Sequence, residues 1–155
     1  MSDEARIETR IIRNRESALG VQDSLYIRCC AMGPGFGVAD LVLLPQRGKH
    51  KLVIVEAKQA SSADARIKVV GQLLMYYAGA LKMGLGGLKL LRRYAVDHHV
   101  AARRAQRSSL QAISGGITPR NEAWAALRKG RRLRPDNIRL LAALTASPAL
   151  PLSRL

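Results

Sequence analysis

The sequence predicts an α/β protein with its elements in the order αβββαβ. A helical pattern opens the chain, three short runs rich in branched residues follow it, and a long helical stretch precedes a last apolar run. With 155 residues, 48% of them hydrophobic, the chain can bury a core as a single domain. We expect this domain at residues 1–146, with a basic helical insertion at about 85–134 and a C-terminal arm at 147–155.

Local patterns give the first half of this order. Residues 3–18 carry an imperfect apolar stripe at helical spacing, and residues 24–32 predict the first strand. The apolar runs at 41–44 and 52–55 flank a polar turn with Gly48, and they predict a β-hairpin.

The second half is predicted to be mostly helical. Residues 66–81 have apolar side chains at the helical spacing of Ile67, Val70, Leu74 and Tyr77. Further segments are predicted as a helix at 88–110, a short helix at 119–129 and a last strand at 137–145.

Charged residues lie at the outer ends of the predicted hairpin. A three-residue turn would place Arg47 opposite Lys51, and therefore Asp40 opposite Lys58 and diagonal to Glu56. The three would share a face because strand side chains alternate, although a slip of one residue would separate them.

Such a group is suited to metal chemistry. Two carboxylates can hold Mg²⁺, which prefers oxygen ligands, and a lysine beside them can orient or help deprotonate an attacking water. The alternative is a set of solvated charges at the ends of a hairpin, and E-x-K alone favours it.

The helix at 66–81 adds Gln72 and Tyr76, one turn apart on a common face. The series G-x-x-D, E-x-K and Q-x-x-x-Y, across roughly residues 35–80, resembles the PD-(D/E)XK nuclease superfamily, particularly its RecB-type exonuclease domains. This resemblance implies a restriction-endonuclease-like fold, in which helices flank a mixed central sheet. The proline that many members place before the aspartate is absent here, where Val38 and Ala39 stand.

The resemblance also implies residue roles. Asp40 and Glu56 would bind Mg²⁺ or Mn²⁺, Lys58 would be the catalytic lysine, and Gln72 and Tyr76 would support the site and touch the nucleic acid. Taken alone, the last two are more often ordinary helix surface, with Tyr76 half in the core.

Many members place a further glutamate on the first helix, and this chain offers Glu4, Glu8 and Glu16. We favour Glu8 because it lies beside Ile7 and one turn from Ile11. The alternative is that Glu8 forms a helix-surface pair with a nearby arginine.

The net charge of +15 predicts a polyanionic partner, for which DNA is our choice. The densest basic run is predicted to contact the phosphate backbone, although a solvated basic surface is the alternative; it comprises Arg128, Lys129, Arg131, Arg132 and Arg134.

Other features bound the setting. No apolar run approaches the roughly 20 residues that span a bilayer, and the N-terminus lacks the apolar region of a signal peptide. Cys29 and Cys30 are adjacent and cannot form an ordinary long-range disulfide with each other, so we expect a cytoplasmic protein without a membrane partner.

The sequence therefore predicts a magnesium-dependent nuclease that hydrolyses DNA phosphodiester bonds. Two alternatives remain open at this point, a non-catalytic nucleic-acid-binding module of the same fold and a homodimeric Holliday-junction resolvase or nickase.

Overall fold

The computed structural model describes residues 3–19, 24–59, 63–107 and 132–145. In chain order its elements are α1 Asp3–Leu19, β1 Ser24–Ala31, β2 Val38–Pro45, β3 Leu52–Gln59, α2 Ala63–Arg107, a 3₁₀ turn at Pro135–Asn137 and β4 Ile138–Thr145. The α/β class is confirmed. The predicted short helix at 119–129 and the arm at 147–155 lie outside the described residues.

The four strands form one mixed sheet in the order β1-β2-β3-β4. β1, β2 and β3 pair antiparallel, whereas β4 runs parallel to β3. Parallel neighbours need a long crossover connection, and α2 lies in the one that joins these strands. The two central strands are the most apolar because both of their faces are covered.

One helix covers each face of the sheet. Ile12 of α1 packs with the side chains at one set of alternate strand positions, Leu41, Leu43, Val53 and Val55. α2 packs on the other face, over Val42, Leu44, Leu52 and Ile54. Where β2 and β3 pair, this alternation assigns each side chain to the α1 face or to the α2 face. Ala39, which lies beyond the pairing, belongs to the core on the α2 face.

The predicted helices at 66–81 and 88–110 belong to one element. α2 runs through both and bends at Gly84, whose φ of 63° and ψ of −164° are not helical. Beyond the bend Leu88, Leu91 and Ala95 remain buried in the core under the sheet. The helix continues through residues that we expected to form part of an insertion, and those up to residue 95 pack in the core.

The apolar spacing that predicted α2 is not the spacing that packs. The buried side chains are Val69, Leu73, Tyr76, Ala80 and Met83, whereas Ile67, Val70 and Leu74 are exposed. The helix is apolar on two sides, so its periodicity could not show which side meets the sheet.

The predicted hairpin register is wrong by two residues. Leu41 lies opposite Val55, and the same register continued by one pair places Asp40 opposite Glu56, where we expected Lys58.

The turn is wider than expected for physical reasons. Pro45 has no N–H to continue the ladder, and the N–H of Lys51 donates to the carbonyl of Asn137 at 2.8 Å. Arg47 and Lys51 are therefore not a strand pair. Because the shift is even, the acidic side chains keep the face that we expected for them.

Candidate active site

The sheet opens between its two central strands. Pairing between β2 and β3 ends at Leu41 and Val55, although β2 begins at Val38 and β3 continues to Gln59. Beyond that point β2 pairs with β1 and β3 pairs with β4. Asp40 and Glu56 lie on the two strands just where they separate.

Asp40 bridges this opening. Its Oδ2 accepts a hydrogen bond from the backbone N–H of Ala57 at 2.8 Å, where a strand ladder would otherwise supply a carbonyl. The carboxylate is thereby fixed against β3, beside Glu56.

Glu56 lies on the α2 face of β3, and its side chain is 1% exposed. Within the described part of the chain, its Oε2 is buried and has no hydrogen-bond partner. Burial raises the pKa of Glu56, and the neighbouring Asp40 carboxylate raises it further. Contact with Lys58 and a hydrogen bond from the backbone of Asp40 lower it again in part. A buried carboxylate of this kind is costly unless a cation or proton joins it.

Lys58 shares this face of β3, two residues after Glu56. Its Nζ lies 3.2 Å from Oε1 of Glu56, and its side chain is 30% exposed. The ammonium group thus contacts the buried carboxylate, and part of the side chain reaches the surface.

Tyr76 of α2 joins the helix to the site. Its hydroxyl donates to the carbonyl of Val38 at 2.8 Å and accepts a hydrogen bond from Nε2 of Gln72 at 3.4 Å. Burial, followed by the charges of Glu56 and Asp40, raises the pKa of Tyr76 to about 12. The phenol therefore stays protonated and keeps its role as a donor.

Two glycines allow this packing. Gly37 has a φ of 82°, and a Cβ there would lie 3.1 Å from the ring of Tyr76. At Gly79 a Cβ would lie 2.9 Å from Cβ of Phe36 and in collision with the carbonyl of Met32. Sequence reasoning missed Gly79; the available signal was a glycine within an otherwise strong helix.

Glu8 is not brought to this site. Its Oε2 pairs with Nη1 of Arg28 at 2.9 Å, and Arg28 also donates to Oγ1 of Thr9 at 3.0 Å. Arg28 lies opposite Leu41 and therefore on the α1 face, whereas Glu56 lies on the α2 face. Glu8 therefore pairs with an arginine of β1, across the sheet from Glu56. The side chains of Glu4 and Glu16 lie outside the described residues.

The basic run is described in part. Arg132 and Arg134 are exposed on either side of the buried Leu133, which anchors the segment to the core just before β4. Arg128, Lys129 and Arg131 lie outside the described residues.

A divalent cation fits the chemistry of the donor set. Asp40 and Glu56 supply carboxylate oxygens, and one oxygen of Glu56 is buried without a hydrogen-bond partner in the described ranges. In residues 3–19, 24–59, 63–107 and 132–145 no group of three or more His, Cys, Asp or Glu side chains is placed to hold a metal. Mg²⁺ is often bound by one or two carboxylates while it keeps several waters.

Comparisons with known protein families, with curated proteins and with solved structures found no significant match to this chain. Within the described ranges, no helix is long and apolar enough to cross a membrane.

Proposed function

We propose that this protein is a divalent-metal-dependent nuclease that hydrolyses DNA phosphodiester bonds, with a restriction-endonuclease-like fold. The observation that carries the proposal is the buried carboxylate of Glu56 beside Asp40 and Lys58 at the opening of the sheet, one oxygen of which has no hydrogen-bond partner among the described residues. A residue that served stability alone would gain little from ionisation in that position.

The proposed roles follow from position. Asp40 and Glu56 would hold Mg²⁺ or Mn²⁺, and the chemistry that such an ion supplies when bound is stabilisation of the charge that develops on the phosphate. Lys58 would orient the attacking water through its ammonium group, which is already held at this site by Glu56.

Supporting roles fall to the helix and to the basic surface. Tyr76 fixes α2 to the first residue of β2 through Val38, and Gln72 orients its hydroxyl, so both would keep the carboxylates in place. Arg132 and Arg134 would contact the DNA backbone without reading its bases.

The test is nicking of supercoiled plasmid by the purified protein with Mg²⁺ or Mn²⁺, and its loss in EDTA. Asp40→Asn, Glu56→Gln and Lys58→Ala should each lower the cleavage rate by at least about a hundredfold, because each removes a group next to the reacting phosphate. Glu8→Gln, on the opposite face of the sheet, is the matched control and should retain wild-type turnover per folded molecule.

A second readout does not depend on turnover. Mn²⁺ should raise the melting temperature of the wild type and of Glu8→Gln, but should leave that of Glu56→Gln unchanged. Cleavage that survives EDTA, or wild-type turnover by Glu56→Gln, would refute the assignment.

A non-catalytic nucleic-acid-binding module is the second candidate. The contact of Lys58 with Glu56 favours it, since an ammonium group can offset the buried charge without a metal. In that case DNA binding would be insensitive to EDTA, and no preparation would nick plasmid.

A further inference from the structure

α2 carries a second apolar surface that faces away from the sheet. Ile67 is 73% exposed and Leu74 58% exposed, although both are large apolar residues. We call this surface the outer stripe; it comprises Ile67, Val70, Gly71, Leu74, Met75 and Ala78, all of them exposed. A helix that is apolar on all sides is typical of a buried position, and the fold buries one side of α2.

The large and small side chains of the outer stripe are arranged so that two copies of the stripe can fit together. If two copies of α2 pack antiparallel about a twofold axis between Gln72 and Leu73, Leu74 of each copy lies over Gly71 of the other. Ile67 then lies over Ala78, so both large side chains meet small ones. A Cβ built at Gly71 has no heavy atom within 4 Å, so the hollow that receives Leu74 is open.

Charges at the two ends of the stripe agree with the same arrangement. Asp64 and Lys82 are both exposed and lie 18 residues apart (82 − 64), which at 3.6 residues per turn is five full turns. Their Cα positions therefore lie on the same side of the helix, one before the stripe and one after it. Nζ of Lys82 lies 5.4 Å from the centre of the Phe36 ring, and it would leave this ring to pair with an aspartate of a second copy. In the antiparallel pair each Asp64 lies next to Lys82 of the partner subunit, giving two symmetric ion pairs.

We propose that the outer stripe is the interface of a homodimer in which two α2 helices pack antiparallel about a twofold axis. A second copy of this chain is favoured over an unrelated partner because both size and charge are complementary under one twofold operation. The proposal does not depend on the nuclease assignment. Each chain has a net charge of +15 and the contact involves one helix from each copy, so the dimer is weak and dissociates on dilution.

The first test is the mass of the full chain by sedimentation velocity across a series of protein concentrations. Wild type should shift from one chain to two as concentration rises. Gly71→Leu should remain monomeric at concentrations at which wild type is dimeric, because a bulky side chain would fill the hollow that receives Leu74. In the monomer the same substitution meets open space and replaces glycine with a better helix former, so the melting temperature should not fall.

Val96→Lys is the matched control, since Val96 is an exposed apolar residue on the same helix beyond the bend at Gly84. It should dimerise as wild type does. A wild type that stays monomeric at every concentration, or a Gly71→Leu variant that still dimerises, overturns the interface.

A charge exchange tests the antiparallel register. Asp64→Lys and Lys82→Asp should each raise the dissociation constant several-fold, because each places like charges together at both ends of the stripe. The double variant restores two opposite-charge pairs and should return the dissociation constant to near the wild-type value. Additive weakening in the double variant would overturn this register.

Discussion

The two faces of the sheet each carry a glutamate, and the two side chains differ in burial and in pairing. On the α1 face, Glu8 meets Arg28 at 2.9 Å and keeps 14% of its side chain exposed. On the α2 face, Glu56 is 1% exposed, and one of its oxygens has no hydrogen bond from the residues that the structure describes. The first arrangement is what stability alone would favour. The second arrangement costs free energy, because it buries a carboxylate oxygen that accepts no hydrogen bond from the described residues.

The largest expected effect comes from the close packing on the α2 face. Gly79→Ala should lower the free energy of unfolding by about 2–3 kcal/mol, because the new Cβ would collide with the carbonyl of Met32 and crowd Phe36. Gly71→Ala, on the outward side of the same helix, is the control. It should raise stability by about 0.5–1 kcal/mol, because its Cβ meets open space. Urea unfolding of the two variants under monomeric conditions measures both changes in the free energy of unfolding. Equal changes would disprove the claim that Gly79 is closely packed and Gly71 is not.

The two glutamates should respond to neutralisation with opposite signs. In EDTA, Glu56→Gln should stabilise the protein by about 1–2 kcal/mol, because it removes a poorly compensated buried charge. Glu8→Gln should destabilise it by about 0.5–1 kcal/mol, a small effect because Arg28 is partly exposed. Chemical unfolding at neutral pH tests the pair. Destabilisation by Glu56→Gln would mean that the buried charge of Glu56 does not destabilise the folded protein.

The free energy that is needed to keep the buried Glu56 ionised should also make the stability of the protein depend on pH. Since the folded state raises the pKa of Glu56 above 4.5, folding favours the protonated form. The stability from this group is therefore fully present below pH 4.5 and is lost as pH rises through the raised value.

The advantage of Glu56→Gln over wild type should accordingly be small in acid and should grow toward neutral pH. Thermal unfolding of both proteins in EDTA across this range is the measurement. If the stability difference between Glu56→Gln and wild type does not vary with pH, the difference arises from packing and not from charge.

The smallest effect concerns the exposed arginines. Arg132→Ala with Arg134→Ala should flatten the dependence of log affinity on log salt by up to about 1.8, because each phosphate that an arginine neutralises adds roughly 0.9 to the slope. The matched control is Arg10→Ala with Arg13→Ala, two exposed arginines of α1, which should leave the slope unchanged. Fluorescence anisotropy with a labelled duplex measures both. Equal slopes in the two double variants would mean that Arg132 and Arg134 are solvated surface residues that do not contact the phosphates.

Much of the fold could be predicted from the sequence because its signals are local. The four strands and the first helix lie where branched apolar runs and helical spacing placed them. The bend at Gly84 and the hairpin register could not be predicted in this way. The register depends on the N–H of Lys51 binding to Asn137, a residue 86 positions away (137 − 51).

The candidate site, like the fold, could be predicted from the sequence only in part. Alternation along β3 sufficed to put Glu56 and Lys58 on one face, and helical spacing sufficed to put Gln72 beside Tyr76. Spacing could not show that Glu8 lies across the sheet from them, because this depends on which face α1 covers.

The sequence by itself determined the α/β class, the order of the elements and the grouping of acidic and basic residues, since these follow from periodicity and composition. Tertiary structure alone decided which side of α2 is buried, where the sheet opens and which glutamate is left without a full set of partners. The physical reason is that burial and hydrogen bonding are settled by contacts between distant segments, and no local pattern encodes them.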